Sequence, residues 1–177
     1  MINNAGILFY KTMAETSPEE VRRLMEVNFF GAVACANAVL PAMRARKSGT
    51  IVNVSSIAGR VGFPNLGYYC ASKFALTGFS ETLRQETARE GITVVTVSPG
   101  TVYTPMTKSI VDEARQRGKR MIPIGPETVA RAICDGIVRK QTEVFIPWPT
   151  RVLNVLHFFF PLFAERLARQ FRAGDRK

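Results

Sequence analysis

Short β-branched runs separated by longer amphipathic segments constrain this fold more than any other feature. TIVNV (Thr50–Val54) and ITVVTV (Ile92–Val97) are apolar on both sides of the pleat, the pattern of strands covered on both faces in a parallel sheet. EVFI (Glu143–Ile146) reads as another strand. A long helix is predicted from about Pro18 to Arg46: Ser17 caps it, Pro18 is preset for the first helical position and Glu20 completes a capping box. A second runs from Tyr68 to Arg89, with Phe74, Leu76, Phe79, Leu83 and Glu86 at helical spacing and Gly91 as its stop. A third begins at Gly125-Pro126 and carries Val129, Ile133, Ile137 and Val138. Met1-Ile2 followed by the turn former Asn3-Asn4-Ala5-Gly6 reads as the end of a buried strand, so the chain enters its fold midway. Such alternation predicts an α/β architecture around a doubly wound, mainly parallel sheet with right-handed crossovers.

The 177 residues, 46% of them hydrophobic, suffice for one domain with a core. Residues 1–149 are assigned to that α/β domain and 150–177 to a C-terminal tail of different composition. Between Pro99-Gly100 and Arg120 an irregular, basic and mobile stretch is expected. The net charge of +10 comes from 24 basic against 14 acidic residues. Clusters such as Arg44, Arg46, Lys47 and Arg115, Arg117, Lys119, Arg120 fall at helix ends, where cations complement the dipole and solvate the surface. Solvated surface is the favoured reading, an acidic ligand or lipid comes second, and no nucleic-acid partner is expected. Cys35, Cys70 and Cys134 are widely spaced with no C-x-x-C pair, so reduced core thiols and no metal site are expected. No signal peptide pattern opens the chain, which fits the cytoplasm.

Tyr69 and Lys73 stand four apart in the predicted second helix and share one face. A free phenol titrates near about 10, and an ammonium beside it lowers that value, so Lys73 is expected to make Tyr69 a usable proton donor or acceptor. Ser56 follows the TIVNV strand at its carboxyl end, where open α/β sheets place their ligands, and its hydroxyl is suited to hold a substrate oxygen that gains charge. A Tyr–Lys pair alone is a weak signal, since such pairs are common for packing and solubility.

The combination is more specific. Ser56 thirteen residues ahead of Tyr69, within NVSSIAG and YCASK, with NNAG upstream and SPGTVYT downstream, resembles the short-chain dehydrogenases/reductases from the first residues to about Pro147. The resemblance implies the C-terminal part of a Rossmann-like sheet and an NAD- or NADP-dependent oxidoreductase moving a hydride to or from a carbonyl or alcohol. It implies Asn28 (in EVNFFG), Ser56, Tyr69 and Lys73 as the catalytic set, with Asn28 bending its helix and holding a water linked to Lys73. Asn4, Ala5 and Gly6 would lie beside the adenosine ribose, and Lys73, with Tyr69 close by, would hold the nicotinamide ribose. Pro99, Gly100, Val102 and Thr104 would meet the nicotinamide carboxamide and phosphates. Tyr68, followed four residues later by Ser72, is read as a packing neighbour.

The family's glycine-rich T-G-x-x-x-G-x-G turn, which seats the pyrophosphate, is missing from this sequence. Two βα units and a strand, roughly 70 to 80 residues, are therefore expected ahead of Met1, with the residue that chooses between NAD and NADP among them. The expectation is a truncated or mis-started form of a longer enzyme; the alternative is a non-catalytic fragment or a membrane-surface interaction module. The resemblance also implies a homo-oligomer, dimer or tetramer, formed through the two long helices.

The tail reads as an amphipathic helix: Val152, Leu153, Val155, Leu156, Phe158 to Phe160, Leu162, Phe163, Leu167, Ala168 and Phe171 among Arg166, Arg169 and Arg172. Arg151, His157 and Pro161 interrupt it too often for a membrane span, but a basic amphipathic helix lies well in a bilayer interface. Peripheral membrane contact, contact with an apolar or lipid-like substrate, and packing against the core or a second subunit all remain open. His157, the only histidine, is assigned no role.

Overall fold

The computed structural model describes residues 1–118 and 122–169, with the backbone alone described for 167–169. Lys119, Arg120, Phe171 and Arg172 lie outside the described residues, as do the side chains of Leu167, Ala168 and Arg169. Four strands, β1 (Ile2–Asn3), β2 (Gly49–Val54), β3 (Ile92–Pro99) and β4 (Glu143–Ile146), form one parallel sheet in the order β1-β2-β3-β4. The register pairs Val52 with Val95 and Val54 with Val97, so like residues point to like faces along the sheet. Helices α1 (Pro18–Met25), α2 (Gly31–Ala45), α3 (Gly67–Glu86), α4 (Lys108–Gln116), α5 (Pro126–Val138), α6 (Thr150–Phe159) and α7 (Pro161–Arg169) surround it.

The expected doubly wound α/β core is present. On one face Val52, Val54, Val95, Val97, Val144 and Ile146 pack under Val129 and Ile133 of α5. On the other, Ile51, Ile92 and Val94 meet Ala36, Leu40 and Met43 of α2 and Leu83 of α3. Each fully buried side chain of this size contributes about 1.5–3 kcal/mol, which is why the runs read as apolar without alternation.

Several differences from expectation have local causes. The helix from Pro18 is continuous to Ala45, yet it widens into a π-helical turn at Glu26–Phe30 that rolls Asn28 into the interior. The stretch after Gly100 is not irregular throughout, because Val111 and Ala114 are buried on α4 and the ion pairs Lys108–Asp112 (2.9 Å) and Arg117–Glu113 (2.6 Å) brace it. Phe74 and Ile2 are exposed rather than buried. Of the expected core thiols only Cys70 is buried; Cys35 and Cys134 are exposed on the outer faces of α2 and α5. The segment Pro18–Ala45 is long and apolar enough to cross a membrane. Its buried residues Leu24, Asn28, Ala32, Ala36, Leu40 and Met43 recur at helical spacing, the pattern of a helix laid against a core.

The return from α3 into β3 turns on Gly91, whose φ is +71°. A Cβ there would stand 2.1 Å from the Lys47 carbonyl oxygen, in the turn that leads into β2. Gly91→Ala should therefore lower the unfolding free energy by about 2 kcal/mol or more, from left-handed strain plus the clash. Urea denaturation measures this; a change within about 0.5 kcal/mol would show that the turn yields freely.

Candidate active site

Three carboxyl strand ends converge, as the parallel sheet requires. Asn4-Ala5-Gly6 leaves β1, Ser55-Ser56 leaves β2, and Pro99-Gly100 closes β3, while the first turns of α3 bring Tyr69 and Lys73 across them. A cavity of about 760 Å³ is lined by Asn4, Ala5, Gly6, Ser56, Tyr69, Lys73, Pro99, Gly100, Val102 and Thr104. All the residues singled out in the sequence thus meet in one place except Asn28, which lies behind Gly6. A Cβ on Gly6 would stand 3.3 Å from Asn28 Oδ1 and 3.6 Å from Lys73 Nζ, so the turn lies close against both.

Asn28 is fully committed within the protein. Its Oδ1 accepts from the Ile7 amide (2.8 Å) and its Nδ2 donates to Ile7 O and Ser72 Oγ (both 3.0 Å). Ser72 Oγ in turn donates to the Tyr69 carbonyl (2.8 Å). One amide therefore binds the loop after β1 to the turn of α3 that carries Tyr69 and Lys73.

Lys73 is buried, and Nζ donates to Val54 O at 3.0 Å. No acidic side chain among the described residues forms an ion pair with it. Burial of that charge lowers its pKa from 10.5 to about 8. Tyr69 moves oppositely to expectation: burial pushes its pKa up to about 12, against a smaller downward pull from its hydrogen bond with Ser56. The physical reason is placement. Lys73 Nζ is turned to the β2 carbonyl and stands 5.8 Å from the Tyr69 ring centre, so desolvation of the phenol decides. The site therefore holds a neutral phenol.

Ser56 caps a short 3₁₀ turn (Ile57–Gly59), its Oγ accepting from the Ala58 amide at 3.1 Å. Its neighbour Ser55, which sequence reasoning passed over, is buried with Oγ donating to Lys73 O (3.1 Å) and bonded to Thr77 Oγ1 (2.9 Å). The doubled serine before I-A-G was the available signal. Gly59 completes the packing, since a Cβ there would meet Ser55 Oγ at 2.5 Å and Lys73 O at 2.7 Å.

A second cavity of about 300 Å³ lies on the other side of Ser56 and Tyr69. Leu8, Phe63, Leu66, Ile110, Ile124 and Leu153 make its walls largely apolar. The two cavities share Ser56, Tyr69, Gly100 and Thr107. Thr107 was also missed: its hydroxyl accepts from the Thr104 amide (3.2 Å) and donates to Val102 O, tying the loop after β3 together. No pattern ahead of α4 marks it in the sequence.

A family model described as short chain dehydrogenase matches residues 1–115. The chain belongs to the short-chain dehydrogenase family. Bovine (Bos taurus) dehydrogenase/reductase SDR family member 7B is 33% identical over 96% of this chain and 56% of its own length. Rat (Rattus norvegicus) 17-beta-hydroxysteroid dehydrogenase 13 is 34% identical over 91% of this chain and 53% of its own length. The chain thus spans about half the length of these curated relatives. A solved short-chain dehydrogenase from Burkholderia cenocepacia, in complex with NADP, superposes with TM-score 0.79 at 28% identity over 94% of this chain and 67% of that one.

Within this short-chain dehydrogenase fold Arg60 fastens the segment after Ser56. Its guanidinium bonds Glu81 of α3 (2.6 Å) and Glu143 of β4, so the Ser56 turn, the Tyr69 helix and the edge strand move as one piece.

Lys73 titrates near 10.5 when unfolded and about 8 when folded, so between those values the unfolded state binds more protons and stability rises with pH. Lys73→Met removes that rise. Urea unfolding at about pH 7.5 and about pH 9.5 should show the variant's advantage over the native chain shrinking by on the order of 2 kcal/mol. A gap independent of pH would mean the ammonium is not desolvated.

Proposed function

We propose that this chain carries the catalytic part of an NAD- or NADP-dependent oxidoreductase that interconverts a carbonyl and an alcohol. The observation that carries the proposal is the wall shared by the two cavities: Ser56 and Tyr69 face both, and Lys73 lines only the larger. A proton donor between a roomy cleft lined by Lys73 and a smaller one with more apolar walls suits transfer between a cofactor and a substrate.

The residues present fit the nicotinamide end of such a cofactor. Among the described residues Lys73 Nζ donates to Val54 O, and a buried ammonium has three protons to donate. Lys73 would hold ribose hydroxyls, Asn4, Ala5 and Gly6 would lie against the adenosine ribose, and Pro99, Gly100, Val102 and Thr104 would border the carboxamide and phosphates. The complex of the Burkholderia relative with NADP supports this class of cofactor. When bound, the cofactor supplies or receives the hydride.

The chain's own groups perform the rest. Ser56 donates a hydrogen bond to the substrate oxygen and fixes its place against Tyr69. In reduction Tyr69, held protonated by its raised pKa, gives its proton to that oxygen, and the Lys73 cation stabilises the phenolate left behind. In oxidation the phenolate takes the proton from the alcohol and returns to the neutral phenol. Asn28 positions rather than reacts, because its side-chain amide is engaged by Ile7 and Ser72. The apolar lining of the smaller cavity favours an apolar, lipid-like carbonyl or alcohol, in keeping with a relative named for a hydroxysteroid. Pairing of copies through α2 and α3 fits the exposed Phe30 and Phe74 on those helical faces.

The test is NADPH or NADH consumption with a panel of apolar aldehydes and ketones. Tyr69→Phe should reduce turnover by at least about 10²-fold with the circular dichroism spectrum unchanged, and Ser56→Ala by about 10²-fold. Turnover retained in folded Tyr69→Phe would overturn the assignment.

A further inference from the structure

Helix α6 is apolar on both of its sides. Leu153 and Leu156 are half-buried against the body of the protein, and Thr150 and Leu153 complete the wall of the smaller cavity. The opposite side, where a helix in water carries polar residues, presents Val152 (46% exposed), Val155 (48%), Phe158 (80%) and Phe159 (66%). The surface continues through Phe160, Leu162 and Phe163, and Trp148 begins it next to Pro147, itself part of the cavity wall. So many contiguous exposed aromatic and aliphatic side chains exceed what scattered surface residues explain.

Charge identifies the occupant. Arg151 and Arg166 are exposed at the two ends of this surface, and residues 150–177 contain six cationic side chains against two carboxylates, within a chain of net charge +10. A second copy laid face to face would set these cations against their own kind, whereas an anionic surface complements them. Aromatic residues flanked by arginine on a short helix are suited to the boundary between headgroups and acyl chains.

We propose that α6 and α7 form a docking element that seats the mouth of the smaller cavity on an anionic bilayer, so that its apolar substrate enters from the lipid phase. The substrate half of this statement rests on the oxidoreductase reading above; the docking half does not. An apolar carbonyl or alcohol dissolved in the bilayer is concentrated beside Trp148 and Leu153, and α6 supplies one wall both to the membrane and to the cavity.

The whole chain is tested by sedimentation with sucrose-loaded vesicles of equimolar phosphatidylglycerol and phosphatidylcholine, and of phosphatidylcholine alone. Binding is expected to the anionic vesicles, weakening as salt is raised. Phe158→Ser with Phe159→Ser, both at exposed positions and neutral in charge, should weaken it by at least about tenfold. Trp148, the only tryptophan, should shift its emission to the blue on binding and be quenched by brominated lipid. Absence of sedimentation overturns the proposal. Equal binding by the double variant overturns it by making the attraction one of net charge alone. Binding without a Trp148 response overturns the placement at the cavity mouth, and a change of oligomeric size in the double variant with vesicle binding intact assigns the face to a second copy instead. Tyr69→Phe should bind vesicles like the native chain, so failure of docking and failure of the oxidoreductase reading leave different signatures.

Discussion

The hydrogen bonds of the buried Asn28 amide hold the site together. Three separate pieces of chain, the loop leaving β1, the π-helical turn between α1 and α2, and the first turns of α3, meet at this one side chain. A regular α-helix through Glu26–Phe30 would aim position 28 differently, so the extra residue in that turn is what brings the amide inward. Both the amide N–H and the carbonyl of Ile7 are satisfied there by one side chain. Gly6, Gly59 and the buried Ser55 and Ser72 hydroxyls are the complementary parts of the same close approach between sheet and helix.

Onto this frame the fold places a group that works against its stability. Lys73 carries a charge into the interior, where it donates to the Val54 carbonyl, and its depressed pKa reflects the cost of that burial. Tyr69 bears the opposite penalty, and its elevated pKa keeps the phenol neutral. The same dry surroundings push the two groups in opposite directions, each towards its neutral form. The valine-rich sheet and the Arg60 clasp between Glu81 and Glu143 offset this local instability, both adjoining the loop that follows Ser56.

How much of this was legible depended on the range of the interaction. Strand β4 and the start of α5 were read at their observed bounds because a short apolar run and a Gly-Pro start are local signals; β2 was close, and α3 ends at Glu86, short of the expected Arg89. The ten cavity-lining positions were legible through motif resemblance, since strand-end loops and a helix face in a parallel sheet have only one place to meet. The π turn, Ser55, Thr107 and the bracing of α4 were not, because each depends on a partner supplied by another segment. The direction of the Tyr69 shift was misread for the same cause: spacing set Lys73 on the right face, but only the fold reveals that its ammonium turns to Val54 O while the phenol is desolvated. The exposed positions of Cys35 and Cys134 show that helical spacing without knowledge of the packed face leaves burial undetermined.

The partition between the two cavities has a consequence for how such a chain can diversify. Ser56, Tyr69, Gly100 and Thr107 belong to both rooms at once, so a substitution at any of them alters both rooms together. Leu8, Phe63 and Leu66 on loops, with Ile110 on α4 and Leu153 on α6, touch the smaller room alone. Variation there can reshape one chamber and leave the other untouched. The fold thus separates a post common to both chambers from a lining that belongs to one, so the shape of the smaller chamber is set largely by residues outside the shared wall.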